Sequence, residues 1–497
     1  MSMATSALPL YGAEQVRELD RRAIEDRGMA GYALMQRAAR ACWEQIRARW
    51  PAADALGVVC GRGNNGGDGY EIARLARAAG WSVWIVAPYG APEGTGDAHR
   101  ACEAWGATAG AAAPLPFEGA LPPCAVLVDA LFGTGLKRRL DARAQAVVAA
   151  INALRNTGTK VVAADIPSGL DASSGAVFDA ACVQADLTVT FIGRKLGLYT
   201  GEGPQRAGEV CFADLDVPAE IGAGLMPLAS LQARAQLAAV LPRRSRTAHK
   251  GDHGHVAVIG GNRGMAGAAL LAGRAALRAG AGLVSLLTCS EHTAALTAAQ
   301  PELMCHAGDD LAAARALLRR ADVIALGPGL GTDDWARALW SVALDAGKPL
   351  VLDADALNLL ALEPLPVADA VLTPHPGEAA RLLGCRAADV QADRLAALRA
   401  LEQRYAASIV LKGAGTLVSG APPQLCPFGN PGMAVGGMGD ALTGIVAALR
   451  AQGLDGAAAA QHGVLVHALA GDSAAASGER GLLPGDLINA LRGIVNP

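Results

Sequence analysis

The chain has 497 residues, 52% apolar and 18% charged, which is enough for two or three cored domains and too apolar for general disorder. Its 43 basic and 46 acidic residues leave a formal charge of −3, which argues against nucleic acid or an acidic membrane surface as the main partner. The 61 glycines lie well above the ordinary ~7% share and cluster at the ends of apolar segments, where an α/β protein brings its backbone close to phosphates. Ten cysteines form no C-x-x-C pair and read as reduced, small hydrophobes. The nine histidines include no H-E-x-x-H, so no zinc site is expected. Met1–Leu10 lacks the basic-then-apolar layout of a signal peptide. No apolar run suits a spanning helix of ~20 residues, and a cytoplasmic protein away from membranes is expected.

In chain order, Leu34, Ala38, Cys42 and Ile46 recur every four residues and predict a helix with one apolar stripe. Strands are predicted at Leu56–Cys60, Ser82–Ala87, Ala125–Val128, Lys160–Ala164 and Leu187–Phe191, most as continuous apolar runs typical of buried parallel strands. Helical patterns such as Tyr70–Ala79 and Asp141–Arg155 separate them. Prolines and glycines over Asp216–Pro227 mark a boundary, giving domains 1–225 and 226–497. Arg243, Arg244, Arg246 and Lys250 form either a solvated loop or a phosphate-facing one. The alternation then restarts with strands at His255–Gly260, Leu283–Thr288, Asp322–Leu326, Pro349–Asp353, Ala370–Thr373 and Ser408–Leu411. Asp440–Gly453 and Gly456–Gly478 read as helices. The fold class is α/β, two three-layer α/β/α domains, in which ligands belong at the carboxyl ends of the strands.

In the first block, Gly61-Arg62-Gly63-Asn64-Asn65-Gly66-Gly67-Asp68-Gly69 stands between a strand and a helix. It matches G-x-G-x-x-G, but no acidic residue closes the next strand at Val86-Ala87-Pro88-Tyr89, which disfavours an ordinary dehydrogenase. A phosphate cradle of backbone N–H groups fits better. Asn65, Asp129 and Ser168 offer oxygens suited to one hard cation, potassium or magnesium, and Asp165 is a candidate acid or base. Each aspartate alone also fits a cap or a turn. These stretches resemble the NAD(P)H-hydrate epimerase family over about residues 10–225. The resemblance implies a Rossmann-like fold and a hydrated nicotinamide dinucleotide, NADHX or NADPHX, as substrate. It implies substrate contacts at Asn64, Asn65, Gly66, Gly67 and Asp68, and at Gly133, Thr134, Gly135, Leu136, Lys137, Arg138 and Arg139. It also implies Asp165 at the reacting carbon and potassium (K+) at Asn65, Asp129 and Ser168.

In the second block, Asn430 to Gly444 carries glycines into a helix with Asp440 in its first turn. Main-chain N–H groups there suit a migrating phosphoryl group, and Asp440 suits a base that takes a hydroxyl proton. An aspartate that merely complements the helix dipole is the plainer reading. Lys412-Gly413-Ala414-Gly415-Thr416 suits nucleotide phosphates or ribose, and His375 suits either a ligand contact or a loop tie. Asp353 and Asp355 are candidates to order magnesium, directly or through water. With Gly260-Gly261-Asn262 and Gly264–Ala268, these strings resemble the ribokinase-like superfamily, and more closely the ADP-dependent NAD(P)H-hydrate dehydratases, from Lys250 to Asn496. The resemblance implies substrate contacts at Ala266, Gly329, His375 and Asp440, with Asp440 catalytic. It implies nucleotide contacts at Lys412, Gly413, Ala414, Gly415, Thr416 and Gly439, with Mg2+ accompanying ADP. Met438 stands where many such sequences have threonine. A bifunctional repair enzyme, expected to be a homo-oligomer, is therefore weighed against a vitamin-precursor kinase fused to a ligand-sensing module.

Overall fold

The computed structural model describes residues 8–136, 139–177 and 181–497. The chain forms two compact units, one ending at Ala229 and the other running from Ser230 to Pro497.

The first unit holds helices α1 (Ala13–Arg21) and α2 (Gly31–Arg49), strand β1 (Ala55–Cys60), α3 (Asn64–Ala78), β2 (Ser82–Val86), α4 (Asp97–Gly106), β3 (Val126–Ala130), α5 (Ala142–Asn156), β4 (Lys160–Ala164), β5 (Leu187–Phe191) and β6 (Glu209–Ala213). The sheet is parallel throughout, in the order β2-β1-β3-β4-β5-β6. Its central strands are apolar on both faces because helices cover both. The predicted stripe on α2 is buried, with Cys42 and Ile46 at 0% exposure. Leu10 and Tyr11 pair in parallel with Arg194 and Lys195, so the lead-in to α1 is tied to the segment after β5.

The second unit holds β7 (His255–Ile259), α6 (Ala266–Arg278), β8 (Leu283–Thr288), β9 (Met304–Ala307), β10 (Val323–Leu326), β11 (Leu350–Leu352), β12 (Val371–Leu372), α7 (Pro376–Leu383), β13 (Ser408–Leu411), β14 (Thr416–Val418), β15 (Gln424–Cys426), α8 (Met438–Ala451), α9 (Gly456–Ala474) and α10 (Pro484–Ile494). Strands β9-β8-β7-β10-β11-β12-β13 run parallel, β14 and β15 follow antiparallel, and Gln424 and Leu425 of β15 pair in parallel with Ser230 and Leu231. Helix α8 is buried along nearly its whole length. At Gly444 it lies so close to α6 that a Cβ would come within 2.0 Å of the Ala272 carbonyl oxygen. That contact sets where the amino end of α8 stands.

Candidate functional sites

In the first sheet the strand order reverses between β1 and β3, and a cavity of about 790 Å³ opens at their carboxyl ends. The Gly61–Gly69 string is not a free loop: Gly63 caps α3, and Asn64 to Asp68 form its first turns. Its glycines seat the helix on the sheet. A Cβ on Gly66 would come within 2.0 Å of the Gly61 carbonyl oxygen, and one on Gly61 within 2.0 Å of the Leu131 carbonyl oxygen. Asn64, Asn65, Asp68, Gly133, Thr134, Gly135, Leu136 and Asp165 line the cavity together. Gly66 and Gly67 are buried behind that wall, where Gly67 packs on Met35, so their expected contact role gives way to a packing role. Arg139 is exposed and outside the lining. Lys137 and Arg138 lie outside the described residues.

Asp129 is fully buried. Its Oδ1 accepts from Ser168 Oγ at 2.7 Å and its Oδ2 from Ser168 N at 2.8 Å. Burial pushes its carboxyl up to about 6 against the pull of these bonds. Phe132 N donates to Ser168 Oγ at 2.9 Å, drawing the segment after β3 to the same point. The side-chain amide of Asn65 is buried with neither oxygen nor nitrogen hydrogen-bonded among the described residues. An unsatisfied buried polar group costs about 1–3 kcal/mol, so a ligand oxygen or a cation is a natural partner for it.

Asp165 follows β4 with φ +67°, a left-handed conformation unusual outside glycine. Its Oδ1 accepts from Lys195 Nζ, from Phe191 N at 3.2 Å and from Thr190 Oγ1 at 3.3 Å. Lys195 is fully buried and also donates to the Phe191 carbonyl at 3.0 Å. Four further carboxyls line this cavity: Asp20 from α1, Asp68 from α3, Asp97 in the first turn of α4, and Asp141, which caps α5 and accepts from Ala144 N at 2.8 Å and Tyr89 OH at 2.7 Å. Burial, reinforced in part by the Asp165 charge, pushes Asp20 up to about 6 and Asp68 well above the carboxylate range. Asp20 and Lys195 escaped the sequence reading. Asp20 sits in the charge-rich run Glu18-Leu19-Asp20-Arg21-Arg22, which looks like a solvated helix face, and no spacing ties Lys195 to Asp165.

In the second unit three elements converge. Gly437, at φ +95°, caps α8 and leads into Met438, Gly439 and Asp440. Lys412 follows β13 and Asp353 follows β11. Lys412 Nζ donates to Asp353 Oδ1 at 2.7 Å and lies 3.8 Å from Glu378 Oε2. Thr443 Oγ1 donates to Asp353 Oδ2 at 2.8 Å. Burial drives the Asp353 carboxyl up, but Lys412 and the donated hydrogen bonds outweigh it and hold Asp353 below the usual range. Both Asp353 oxygens are thus engaged within the protein, each with a lone pair remaining. Asp355 accepts from Gly331 N at 2.8 Å and anchors the Gly327–Gly331 turn. Among the described residues no three His, Cys, Asp or Glu side chains group to hold a metal.

Asp440 differs from Asp353: its carboxyl accepts no hydrogen bond from a described residue. Burial, with the Asp353 charge nearby, pushes it up to about 7 despite Lys412. A Cβ on Gly439 would stand 3.3 Å from Lys412 Nζ, so the bare backbone there leaves the ammonium open. Gly329 abuts Met265, next to Ala266, bringing those two predicted contacts together. His375 is a helix cap, its Nδ1 accepting from Gly377 N at 2.9 Å. Thr416 Oγ1 closes the Lys412–Thr416 turn by donating to the Gly413 carbonyl at 2.8 Å. Met438 is buried at 5% in the core, and it is its carbonyl that accepts a bond, from His467 Nε2 at 2.9 Å. The basic run is an exposed loop in which Arg244 ties to Gln452 Oε1 at 2.9 Å. No helix among the described residues is long and apolar enough to cross a membrane.

Comparison with known proteins agrees with this division. Residues 31–197 match the family described as YjeF-related protein N-terminus, and residues 256–492 match the family described as NAD(P)H-hydrate dehydratase. The bifunctional NAD(P)H-hydrate repair enzyme Nnr of Coxiella burnetii is 46% identical over 98% of this chain and 99% of its own. The enzyme of the same name from Escherichia coli is 43% identical over 98% of this chain and 94% of its own. A crystal structure of a ribokinase-like superfamily protein from Enterococcus faecalis superposes with a TM-score of 0.50 at 30% identity, covering 54% of this chain and 95% of that one.

Proposed function

The chain belongs to the family of bifunctional NAD(P)H-hydrate repair enzymes, and from that premise we propose how its two units divide the work. The first unit epimerises the R and S forms of hydrated NADH or NADPH. The second dehydrates the S form, converting ADP to AMP and phosphate. Relatives that span 98% of the chain are named for the repair reaction, which sets aside the vitamin-precursor kinase.

Asp440 carries the reading of the second unit. It is a carboxyl with no hydrogen-bond donor among the described residues, placed in the first turn of a glycine-led helix and within electrostatic range of the Lys412 ammonium. Asp440 takes the proton of the C6 hydroxyl, and the hydroxyl oxygen attacks the terminal phosphoryl of ADP, releasing AMP. Backbone N–H groups at the start of α8 receive the charge on that phosphoryl group. The ring N1 lone pair then expels phosphate from C6, and loss of a C5 proton restores the C5=C6 double bond. Ala266, Gly329 and His375 contact the substrate, while Lys412 to Thr416 and Gly439 contact the nucleotide. Asp353, held by Lys412 and Thr443, would order an Mg2+ that accompanies the nucleotide phosphates, directly or through water.

In the first unit, the hydroxyl of a hemiaminal carbon leaves and returns through an iminium, and Asp165 handles the proton. The substrate contacts Asn64, Asn65 and Asp68 on one side and Gly133 to Leu136 on the other. The buried Asn65 amide, without a hydrogen bond among the described residues, and the Asp129 and Ser168 oxygens would suit an oxygen-ligated K+. Bound there, such an ion would supply a fixed positive charge to the site. Exchanging potassium for a bulky organic cation is expected to raise the epimerase KM and leave dehydration of the S form unchanged. Ten unpaired cysteines support a reducing, cytoplasmic setting.

The test supplies S- and R-NADHX separately with ADP and follows NADH absorbance. Wild type is expected to recover both epimers, Asp440→Ala neither, and Asp165→Ala only the S form. No NADH from the S form in wild type would overturn the dehydratase reading.

A further inference from the structure

Inverting C6 needs the hydroxyl to leave from one face of the ring and water to return on the other. A single carboxylate standing at one face can protonate a leaving hydroxyl there and take a proton back there, which exchanges oxygen but retains configuration. Inversion therefore calls for a second proton-handling group on a different wall of the same cavity. Asp165 reaches the cavity from the end of the sheet, with its Oδ1 held by Lys195, Thr190 and Phe191. Asp20 reaches it from α1, flanked one helical turn away on each side by Val16 and Ile24, which line the cavity too. The pairing of Leu10 and Tyr11 with Arg194 and Lys195 brings α1 to this position. The Asp20 carboxyl accepts no hydrogen bond from a described residue and lies within electrostatic range of both Lys195 and Asp165.

We propose that Asp20 is the second proton-transfer residue of the epimerase site, acting on the face of C6 not served by Asp165. The inference rests on the epimerase reading above. In one direction, protonated Asp20 gives its proton to the departing hydroxyl as the N1 lone pair forms the N1=C6 bond and the C6–O bond breaks, releasing water. A second water then adds to C6 from the Asp165 side, the π pair returns to N1, and the Asp165 carboxylate takes the proton. In the other direction the two groups exchange roles, as an enzyme that interconverts both epimers requires. Burial that raises the Asp20 carboxyl to about 6 brings its protonated form within reach of neutral pH and agrees with this assignment, as does the ammonium bonded to Asp165.

The experiment uses the full chain, with S- or R-NADHX in H2-18O, and separates inversion (by chromatography of the epimers) from oxygen exchange at C6 (by mass). Wild type is expected to take up one solvent oxygen per inversion. Asp20→Asn is expected to slow inversion at least a hundredfold at unchanged KM while exchange with retention continues, so the ratio of exchange to inversion rises at least tenfold. Asp20→Glu keeps the acid and is expected to lose less inversion than Asp20→Asn. Wild-type inversion by Asp20→Asn overturns the proposal. So does a fall of exchange and inversion in step, equal loss in the two Asp20 variants, or the selective pattern appearing in Asp68→Asn instead. Failure of wild type to invert either epimer is a separate result and removes the epimerase reading itself.

Discussion

Two aspartates in the second unit, Asp353 buried and Asp440 half-buried, behave oppositely because of what surrounds them. Asp353 has an ammonium and a hydroxyl on its oxygens, which hold it below the usual carboxylate range, whereas Asp440 has no such donor among the described residues and is pushed by burial up to about 7. As a base, Asp440 must be ionised, so dehydration is expected to fall about tenfold per pH unit below 7, and Asp440→Asn to lose about 10²–10⁴-fold in kcat. The folded carboxyl binds its proton more tightly than the unfolded one, so its stability contribution is present at low pH and lost as pH rises through 7. Asp440→Asn is therefore expected to melt above wild type at pH 8 and level with it near pH 4, as read by thermal unfolding. Lys412→Met leaves Asp353 and Glu378 without their buried cation and is expected to cost about 3–5 kcal/mol in denaturant titration. At this scale the sequence showed Asp440 and Asp165 because glycine turns at strand ends frame them. Asp20 and Lys195 carry no such frame: pairing between segments more than 180 residues apart brings them together, and local pattern does not encode that.

Among the elements, long apolar strands and striped helices were legible. Lys160–Ala164, Leu187–Phe191, Leu283–Thr288 and Ser408–Leu411 stand at the predicted bounds. Short strands were missed for a physical reason. Thr416–Val418 and Gln424–Cys426 are three residues each, too brief for a period to show, and exist because they pair with each other. The asparagine–glycine string reads as a loop by propensity, yet it begins α3, because glycines at 61, 66 and 69 allow a close approach that no other residue fits. Helix α8 depends on the same device. Gly444→Ala would gain about 1 kcal/mol in helix propensity, but its methyl would strike the Ala272 carbonyl. Overpacking of about 1–3 kcal/mol is expected to win. The unfolding midpoint of the second unit should fall, and its dehydratase rate with it as the Asp440 turn shifts. Epimerisation should stay at the wild-type level.

At the scale of the whole molecule, each candidate site is assembled from one unit's residues alone. Asp165→Ala is therefore expected to leave the rate on S-NADHX within about twofold of wild type, and Asp440→Ala to leave the R/S interconversion rate within the same margin. The sequence divided the chain at a proline- and glycine-rich stretch, and the units part at Ala229. Carrying both units on one polypeptide also fixes their stoichiometry. A cell that makes more or less of this chain changes both activities together and never their ratio. Only turnover numbers set the balance of the two steps, so a partial lesion in the first unit would leave a standing pool of the R hydrate that no increase in expression of a separate dehydratase could drain.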